Sequence, residues 1–212
     1  MVARLRLRSG ISCLDNGWRK SGHIMSSQSK TLLTPEEYLA TERKAETRSE
    51  YFAGEVFAML GASRRHNLIA ANIIRVLGNQ LLERVCNVYP SDMRVKVSAT
   101  GKYTYPDVVV ACEPELFDDA ENDTLLNPVV IIEVLSASTE AYDRGKKFEQ
   151  YQQIASLTEY ILVAQEAYRI EQYVRQSDKE WRYSEYHAAE DVIKISVIGC
   201  EIALKDVYAK VA

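Results

Sequence analysis

The stretch NPVVIIEVLSAST, residues 127–139, contains the strongest signal for the fold. Its apolar run from Val129 to Leu135 is short and is bounded by Asn-Pro and by serine-rich sequence, so it predicts a buried strand rather than a helix. Apolar side chains would point to both faces, which indicates a central strand covered on both sides. Glu133 is the one charged residue of the run, and an ionised carboxylate there needs a positively charged partner.

The bulk composition is that of a globular protein. The chain has 212 residues, of which 47% are hydrophobic and 26% charged, and no stretch is apolar enough to cross a bilayer. A net charge of −4 argues against a non-catalytic protein that coats nucleic acid, because such proteins are usually basic. The cysteines at 13, 86, 112 and 200 form no CxxC pair, so we expect reduced thiols in a cytoplasmic protein.

The chain is expected to form one domain preceded by an extension. Residues 1–29 lack hydrophobic periodicity, which predicts a poorly ordered segment, and residues 30–212 form the predicted domain. Met25 lies just before the point where periodic sequence begins. The first 24 residues are therefore interpreted as a leader or as the product of an upstream start.

Local signals predict alternating helices and strands. Thr34, Pro35 and Glu37 form a helix start with a capping box, and alternation around Gly54 predicts a hairpin. Apolar residues at helical spacing predict a long helix over 63–83. Further predicted segments are strands at 85–89, 94–98, 105–111 and 159–164, a helix at 143–154, and two strands within 168–187. This order indicates an α/β or α+β protein with a mixed central sheet flanked by helices.

Three charged residues lie on or beside the predicted central elements. Asp107 by itself is most simply a polar residue at a strand entrance. For Glu133 by itself, a salt bridge to a buried cation and a metal ion are equally good explanations. Lys147 by itself fits an exposed pair with Asp143 one helical turn away, worth only about 0.3–0.5 kcal/mol. Lys147 also shares its helix face with Tyr151.

The combination of these residues indicates a specific chemistry. Two carboxylates on adjacent strands, Asp107 and Glu133, make an oxygen-rich site suited to Mg²⁺ or Mn²⁺. A lysine beside them can orient a water molecule or neutralise developing charge, as phosphodiester hydrolysis requires. Arg64, Arg65 and His66 lie at the start of the long helix, where they are either a solvated surface or a contact for phosphate. For the arginines the solvated surface is the preferred interpretation.

Several motifs together resemble the Uma-two family of bacterial endonucleases. The motifs are YPDVVV (105–110), PVVIIEVLSAST (128–139), YDRGKKFEQYQQI (142–154), EYILV (159–163), SEYFAGEVFAMLGASRRHN (49–67) and PSDMRVKV (90–97). The family belongs to the restriction-endonuclease-like superfamily known by its PD-(D/E)XK motif. The resemblance covers roughly residues 30 to 210 and implies a restriction-endonuclease-like mixed sheet.

The resemblance carries catalytic roles onto particular residues. Asp107 after Pro106 matches the PD of the motif, and Glu133 matches its second acidic position. Leu135 stands where the superfamily usually has its lysine. The resemblance implies that the lysine is supplied by the following helix, and it points to Lys147.

The resemblance also implies supporting residues. Glu50 matches an acidic position that adds to the metal site, and Asp143 and Tyr151 would support Lys147 through hydrogen bonds. Contacts to nucleic acid are expected at Arg64, Arg65, His66 and Lys146.

The leading hypothesis is a cytoplasmic, Mg²⁺- or Mn²⁺-dependent endonuclease that cleaves DNA, acts as a homodimer and has no membrane partner. Asp107 and Glu133 would hold the metal ion, and Lys147 would assist the attacking water. The alternative is a catalytically inactive module of nuclease fold that binds DNA or a protein partner, which the acidic composition favours. A third hypothesis is a structural dimer in which Glu133 is paired with an internal lysine.

Overall fold

The computed structural model describes residues 32–211. The predicted extension over residues 1–29, and with it the interpretation of residues 1–24 as a leader or the product of an upstream start, lies outside the described residues. Helical segments are α1 (Pro35–Glu42), α2 (Arg64–Leu81), α3 (Glu140–Tyr142), a π-helical turn (Asp143–Lys147), α4 (Phe148–Tyr151), a 3₁₀ turn (Ser196–Ile198) and α5 (Leu204–Val207). The strands are β1 (Ser49–Phe52), β2 (Glu55–Ala58), β3 (Cys86–Pro90), β4 (Arg94–Val97), β5 (Lys102–Thr104), β6 (Val108–Cys112), β7 (Thr124–Leu125), β8 (Val130–Leu135), β9 (Glu159–Ala164), β10 (Ile170–Ser177), β11 (Glu180–Tyr186), β12 (Val192–Ile195) and β13 (Cys200–Ala203).

The strands of the described residues form three sheets, and the predicted mixed α+β architecture is confirmed. A six-stranded sheet has the order β11-β10-β9-β8-β6-β3, in which β8 and β9 run parallel and the other neighbours antiparallel. A five-stranded sheet has the order β2-β1-β5-β4-β7, and β12 pairs with β13. Within residues 32–211 we find no helix with the length and apolar character needed to span a bilayer.

Strand β8 is the central strand that the sequence predicts. All six of its residues are buried, because alternate side chains enter two different hydrophobic clusters. Ile132 packs in one cluster with the apolar face of α2, and Ile131 packs in the other with Tyr151 and Tyr160. Burial on both faces explains why this segment reads as a continuous apolar run.

The predicted strand over 105–111 is interrupted in the structure. Tyr105, its first residue, directly follows β5, whereas the strand proper, β6, begins only at Val108. β5 belongs to the five-stranded sheet and β6 to the six-stranded sheet, so the chain crosses from one sheet to the other between them. Pro106 lies in the connection, where its missing N–H costs no ladder hydrogen bond. The crossing places Asp107 at the entrance of β6. The predicted helix over 143–154 begins earlier, at Glu140, and contains a π-helical turn.

Two of the cysteines are joined. Cys86 and Cys112 are directly opposite each other in the antiparallel register of β3 and β6, and they form a disulfide. The expectation of reduced thiols is wrong for this pair, because cysteine spacing along the chain carries no information about strand register. Cys200 is free and buried, as expected for a small core side chain.

Replacing Thr34 with alanine is expected to destabilise the fold by about 1 kcal/mol. The Thr34 hydroxyl accepts a hydrogen bond from the Glu37 N–H at 3.2 Å, and the Glu37 carboxylate accepts from the Thr34 N–H at 2.8 Å. Urea unfolding followed by circular dichroism measures the loss. Thr41→Ala, an exposed site in the same helix, is the matched control and should stay within about 0.5 kcal/mol of wild type. Equal losses in both variants would contradict the capping role.

Candidate active site

The acidic residues named from the sequence meet where the two large sheets approach each other. Glu50 comes from β1 and Glu133 from β8, while Asp107 precedes β6. Asp143 and Lys147 come from the π-helical turn. All five residues line one cleft of about 1090 Å³. The structure therefore brings the predicted site residues together from four separate parts of the chain.

Glu133 has the cationic partner that its burial requires. Its side chain is only 4% exposed, and the Lys147 ammonium lies 2.8 Å from Glu133 Oε1. The Tyr151 hydroxyl donates a second hydrogen bond to the same oxygen, also at 2.8 Å. The predicted support of Lys147 by Tyr151 through a hydrogen bond thus takes another form: the hydroxyl donates to Glu133, and the Lys147 ammonium lies 5.9 Å from the centre of the Tyr151 ring.

Lys147 is a buried cation rather than a surface one. Its ammonium lies 3.5 Å from Asp143 Oδ1 and 3.7 Å from Glu50 Oε1, and its side chain is 8% exposed. The pair with Asp143 exists, but both partners are buried, so the interpretation as a solvated helix pair is wrong. Burial makes each of these ion pairs energetically important, because removing one partner leaves an uncompensated charge.

Asp107 is held beside Glu133 by the backbone of β8. Asp107 Oδ2 accepts a hydrogen bond from the Val134 N–H at 2.7 Å and lies 3.0 Å from His66 Nε2. Since Val134 directly follows Glu133, this bond positions the two carboxylates next to each other. His66 Nδ1 is buried and has no hydrogen-bond partner among the described residues.

Glu50 and Glu133, which both line the cleft, have opposite pKa shifts. Burial, together with Asp107 and Asp143, raises the pKa of Glu133 to about 8 in spite of the adjacent Lys147. Burial would also raise the pKa of Glu50, but Lys147 and Lys102 outweigh it and the pKa is lowered. Glu50 is therefore ionised at neutral pH, whereas Glu133 takes up a proton near neutral pH unless further positive charge is supplied.

Two residues of β5 complete the site and were missed by sequence reasoning. The Lys102 ammonium lies 3.0 Å from Glu50 Oε2 and also contacts the Tyr142 hydroxyl. The Thr104 hydroxyl donates to Glu50 Oε1. Strand alternation in KYT places Lys102 and Thr104 on one face, but only the pairing of β5 with β1 brings that face to Glu50.

Of the four residues predicted to contact nucleic acid, the structure places one in the cleft. His66 lines the cleft, whereas Arg64, Arg65 and Lys146 do not. Arg65 pairs with Glu166 at 3.0 Å. A role for these four residues in binding nucleic acid stays a prediction.

The charges of the site suit a divalent cation. The acidic and basic groups that lie together here are those of Glu50, Asp107, Glu133, Asp143, Lys102 and Lys147, with His66 beside Asp107. The four carboxylates outnumber the two ammonium groups, and a bound divalent cation would favour the ionised form of Glu133. Within residues 32–211 no group of three or more His, Cys, Asp or Glu side chains is arranged to hold a metal ion. Mg²⁺ is commonly held by only one or two carboxylates with water and substrate phosphate, so Asp107 and Glu133 fit this ion.

Comparisons with known proteins agree with the fold. The family model Uma2, described as "Putative restriction endonuclease", matches residues 35–205. The solved structure of "a putative nuclease belonging to DUF820" from Anabaena variabilis superposes with a TM-score of 0.70 at 16% identity, covering 85% of this chain and 99% of that one. This likeness is one of fold.

Two proteins of Synechocystis sp. (strain ATCC 27184 / PCC 6803 / Kazusa) are similar in sequence. The uncharacterized protein slr1290 is 36% identical over 180 residues, which is 85% of this chain and 93% of the relative. The uncharacterized protein sll1609 is 38% identical over 154 residues, which is 73% of this chain and 87% of the relative. With the family model matching most of the chain and the carboxylate cleft in place, the protein belongs to the Uma2 family of restriction-endonuclease-like proteins.

Proposed function

We propose that this protein is a divalent-metal-dependent endonuclease that hydrolyses phosphodiester bonds of DNA. The observation that carries the proposal is that four carboxylates, those of Glu50, Asp107, Glu133 and Asp143, line one cleft beside Lys147, which is an excess of acidic groups over cations. Mg²⁺ or Mn²⁺ held by Asp107 and Glu133 would neutralise that excess. The membership of the chain in a restriction-endonuclease-like family supports DNA as the substrate.

The residues of the cleft have distinct roles in this proposal. Asp107 and Glu133 would hold the ion, which when bound would supply Lewis-acid polarisation and activation of water. Lys147 orients the attacking water and stabilises the charge that develops on the phosphoryl oxygens. Glu50 and Asp143 keep the ammonium in place from two sides, and Tyr151 fixes the orientation of Glu133.

Purified protein is expected to nick supercoiled plasmid DNA in the presence of Mg²⁺ or Mn²⁺, and Glu133→Ala should lower the initial rate by about 10²–10⁴-fold. The loss follows because the variant removes one of the two metal-holding carboxylates. Gel electrophoresis of the nicked product measures the rate. The matched control is Glu149→Ala, an exposed glutamate on α4, which should cleave at the wild-type rate.

Two results would contradict the proposal. One is nicking that persists in EDTA, and the other is equal nicking by wild type and Glu133→Ala. Calorimetric titration with Mn²⁺ adds a readout that does not depend on cleavage: binding should be seen with wild type and lost in Asp107→Ala.

A catalytically inactive module is the second candidate. The observation in its favour is that Lys147 and Tyr151 already occupy Glu133 Oε1, as a purely structural ion pair would. Such a module predicts no heat of Mn²⁺ binding. The homodimer implied by the family resemblance stays a prediction.

A further inference from the structure

One wall of the cleft is apolar and exposed. Phe57 on β2 is 47% exposed and Leu60, shortly after this strand, is 88% exposed, and both line the cleft. In the antiparallel register of β1 and β2, Phe57 lies directly opposite Glu50. Directly opposite residues project from the same face with Cβ atoms about 5 Å apart. The aromatic ring therefore stands next to a carboxylate of the proposed active site.

The polar lining of the cleft is poorly suited to a DNA duplex. The acidic side chains among the described residues that line it are Glu50, Asp107, Glu133, Glu140, Asp143 and Glu166. The lysine and arginine side chains among the same lining residues are Lys147, which pairs with Glu133 at 2.8 Å, and Arg169, which pairs with Glu140 at 3.2 Å. Duplex binding depends on many lysine and arginine contacts to phosphate. Few cations are therefore available for phosphate contacts on either form of DNA, so contacts to bases gain weight, and only unpaired bases offer their faces for stacking.

We propose that Phe57, flanked by Leu60, stacks on an unpaired base beside the scissile phosphodiester, so that single-stranded DNA is the preferred substrate. The inference rests on the proposed endonuclease function and names its substrate class. An aromatic ring accepts any unpaired base by stacking, whereas a base inside a duplex is covered by its neighbours. Because Phe57 and Glu50 share one face of the hairpin, the stacked base would adjoin the phosphate at the carboxylates.

The test is fluorescence anisotropy in Mg²⁺ with labelled phosphorothioate DNA, which resists hydrolysis, as a single strand and as a duplex of the same sequence. Wild type should bind the single strand more tightly. Phe57→Ala should weaken single-strand binding by about 5–150-fold, the range for loss of one stacked base, and leave duplex binding unchanged. Phe52→Ala is the matched control, because Phe52 lies on the same hairpin with 37% exposure but does not line the cleft.

Equal binding of single strand and duplex, or wild-type binding by Phe57→Ala, would overturn the proposal while plasmid nicking could still stand. Light scattering on Phe57→Ala and Phe52→Ala tests whether a second copy of the chain, rather than DNA, covers this wall of the cleft. A change from dimer to monomer in Phe57→Ala alone would show that a second copy of the chain covers Phe57, and it would also overturn the proposal. Failure of the proposed function itself is read separately, from the absence of metal-dependent cleavage of both plasmid and unmodified single-stranded DNA.

Discussion

Lys147→Ala is expected to lower the rate of metal-dependent plasmid cleavage by about 10²–10⁴-fold. The ammonium lies 2.8 Å from Glu133 and 3.7 Å from Glu50, on the floor of the cleft where phosphate would bind. In the proposed mechanism, alanine removes the cation that would orient water and stabilise developing charge. Lys147→Arg keeps the charge with a different geometry, so it should recover only part of the rate.

An exposed lysine away from the cleft provides the control for this experiment. Lys179, in the turn between β10 and β11, is exposed and does not line the cleft, so Lys179→Ala should retain cleavage within about twofold of wild type, as expected for a surface substitution. Thermal unfolding of both variants separates a lost catalytic group from a lost fold. A folded Lys147→Ala protein that cleaves at the wild-type rate would refute the role of this lysine.

The second large effect concerns Glu133 and the pH dependence of stability. The metal-free protein should lose stability on the order of 4 kcal/mol between about pH 5 and pH 8, and Glu133→Gln should remove most of this loss. The cause is that burial, together with Asp107 and Asp143, raises the pKa of Glu133 from 4.5 to about 8. Glutamine has nearly the same shape but does not ionise.

The direction in which stability changes with pH follows from the number of protons bound in the folded and unfolded states. Between the unfolded pKa near 4.5 and the folded pKa near 8, the folded protein holds a proton that the unfolded chain has released. Raising the pH through this window therefore favours unfolding. Glu50 has the opposite effect on stability. Its pKa is lowered in the folded protein, so its contribution to the free energy of unfolding is lost as the pH falls. The comparison of wild type with Glu133→Gln isolates the first effect.

Guanidinium unfolding in EDTA at pH 5, 6, 7 and 8 measures the free energy of unfolding of both proteins. The two curves should diverge as the pH rises, with the variant more stable at pH 8. A parallel series in Mg²⁺ serves as the control, since an ion that binds ionised Glu133 stabilises wild type most at high pH. Parallel curves in EDTA would show that Glu133 does not carry the pH dependence.

Much of the fold follows from local pattern. The run around Glu133 identified β8 because a strand buried on both faces must be apolar throughout. The spacing of Ile69, Ile73 and Leu77 identified α2, since these residues all enter the core. The break at Pro106 and the Cys86–Cys112 disulfide were not predicted. Both depend on which strands pair and in which register, and that choice is made by residues far away in the chain.

The sequence by itself determined which chemical groups are available: two acids near the central strands and a lysine on the following helix, within a recognisable family pattern. The tertiary structure decided how they are arranged. It placed Lys147 in a buried pair with Glu133 and brought Lys102 to Glu50. It also set Phe57 beside the carboxylates through the register of the hairpin. The physical reason is that burial determines which charged groups need a partner, and strand pairing determines which partner is near. Both arise only when segments that are distant in the chain pack together.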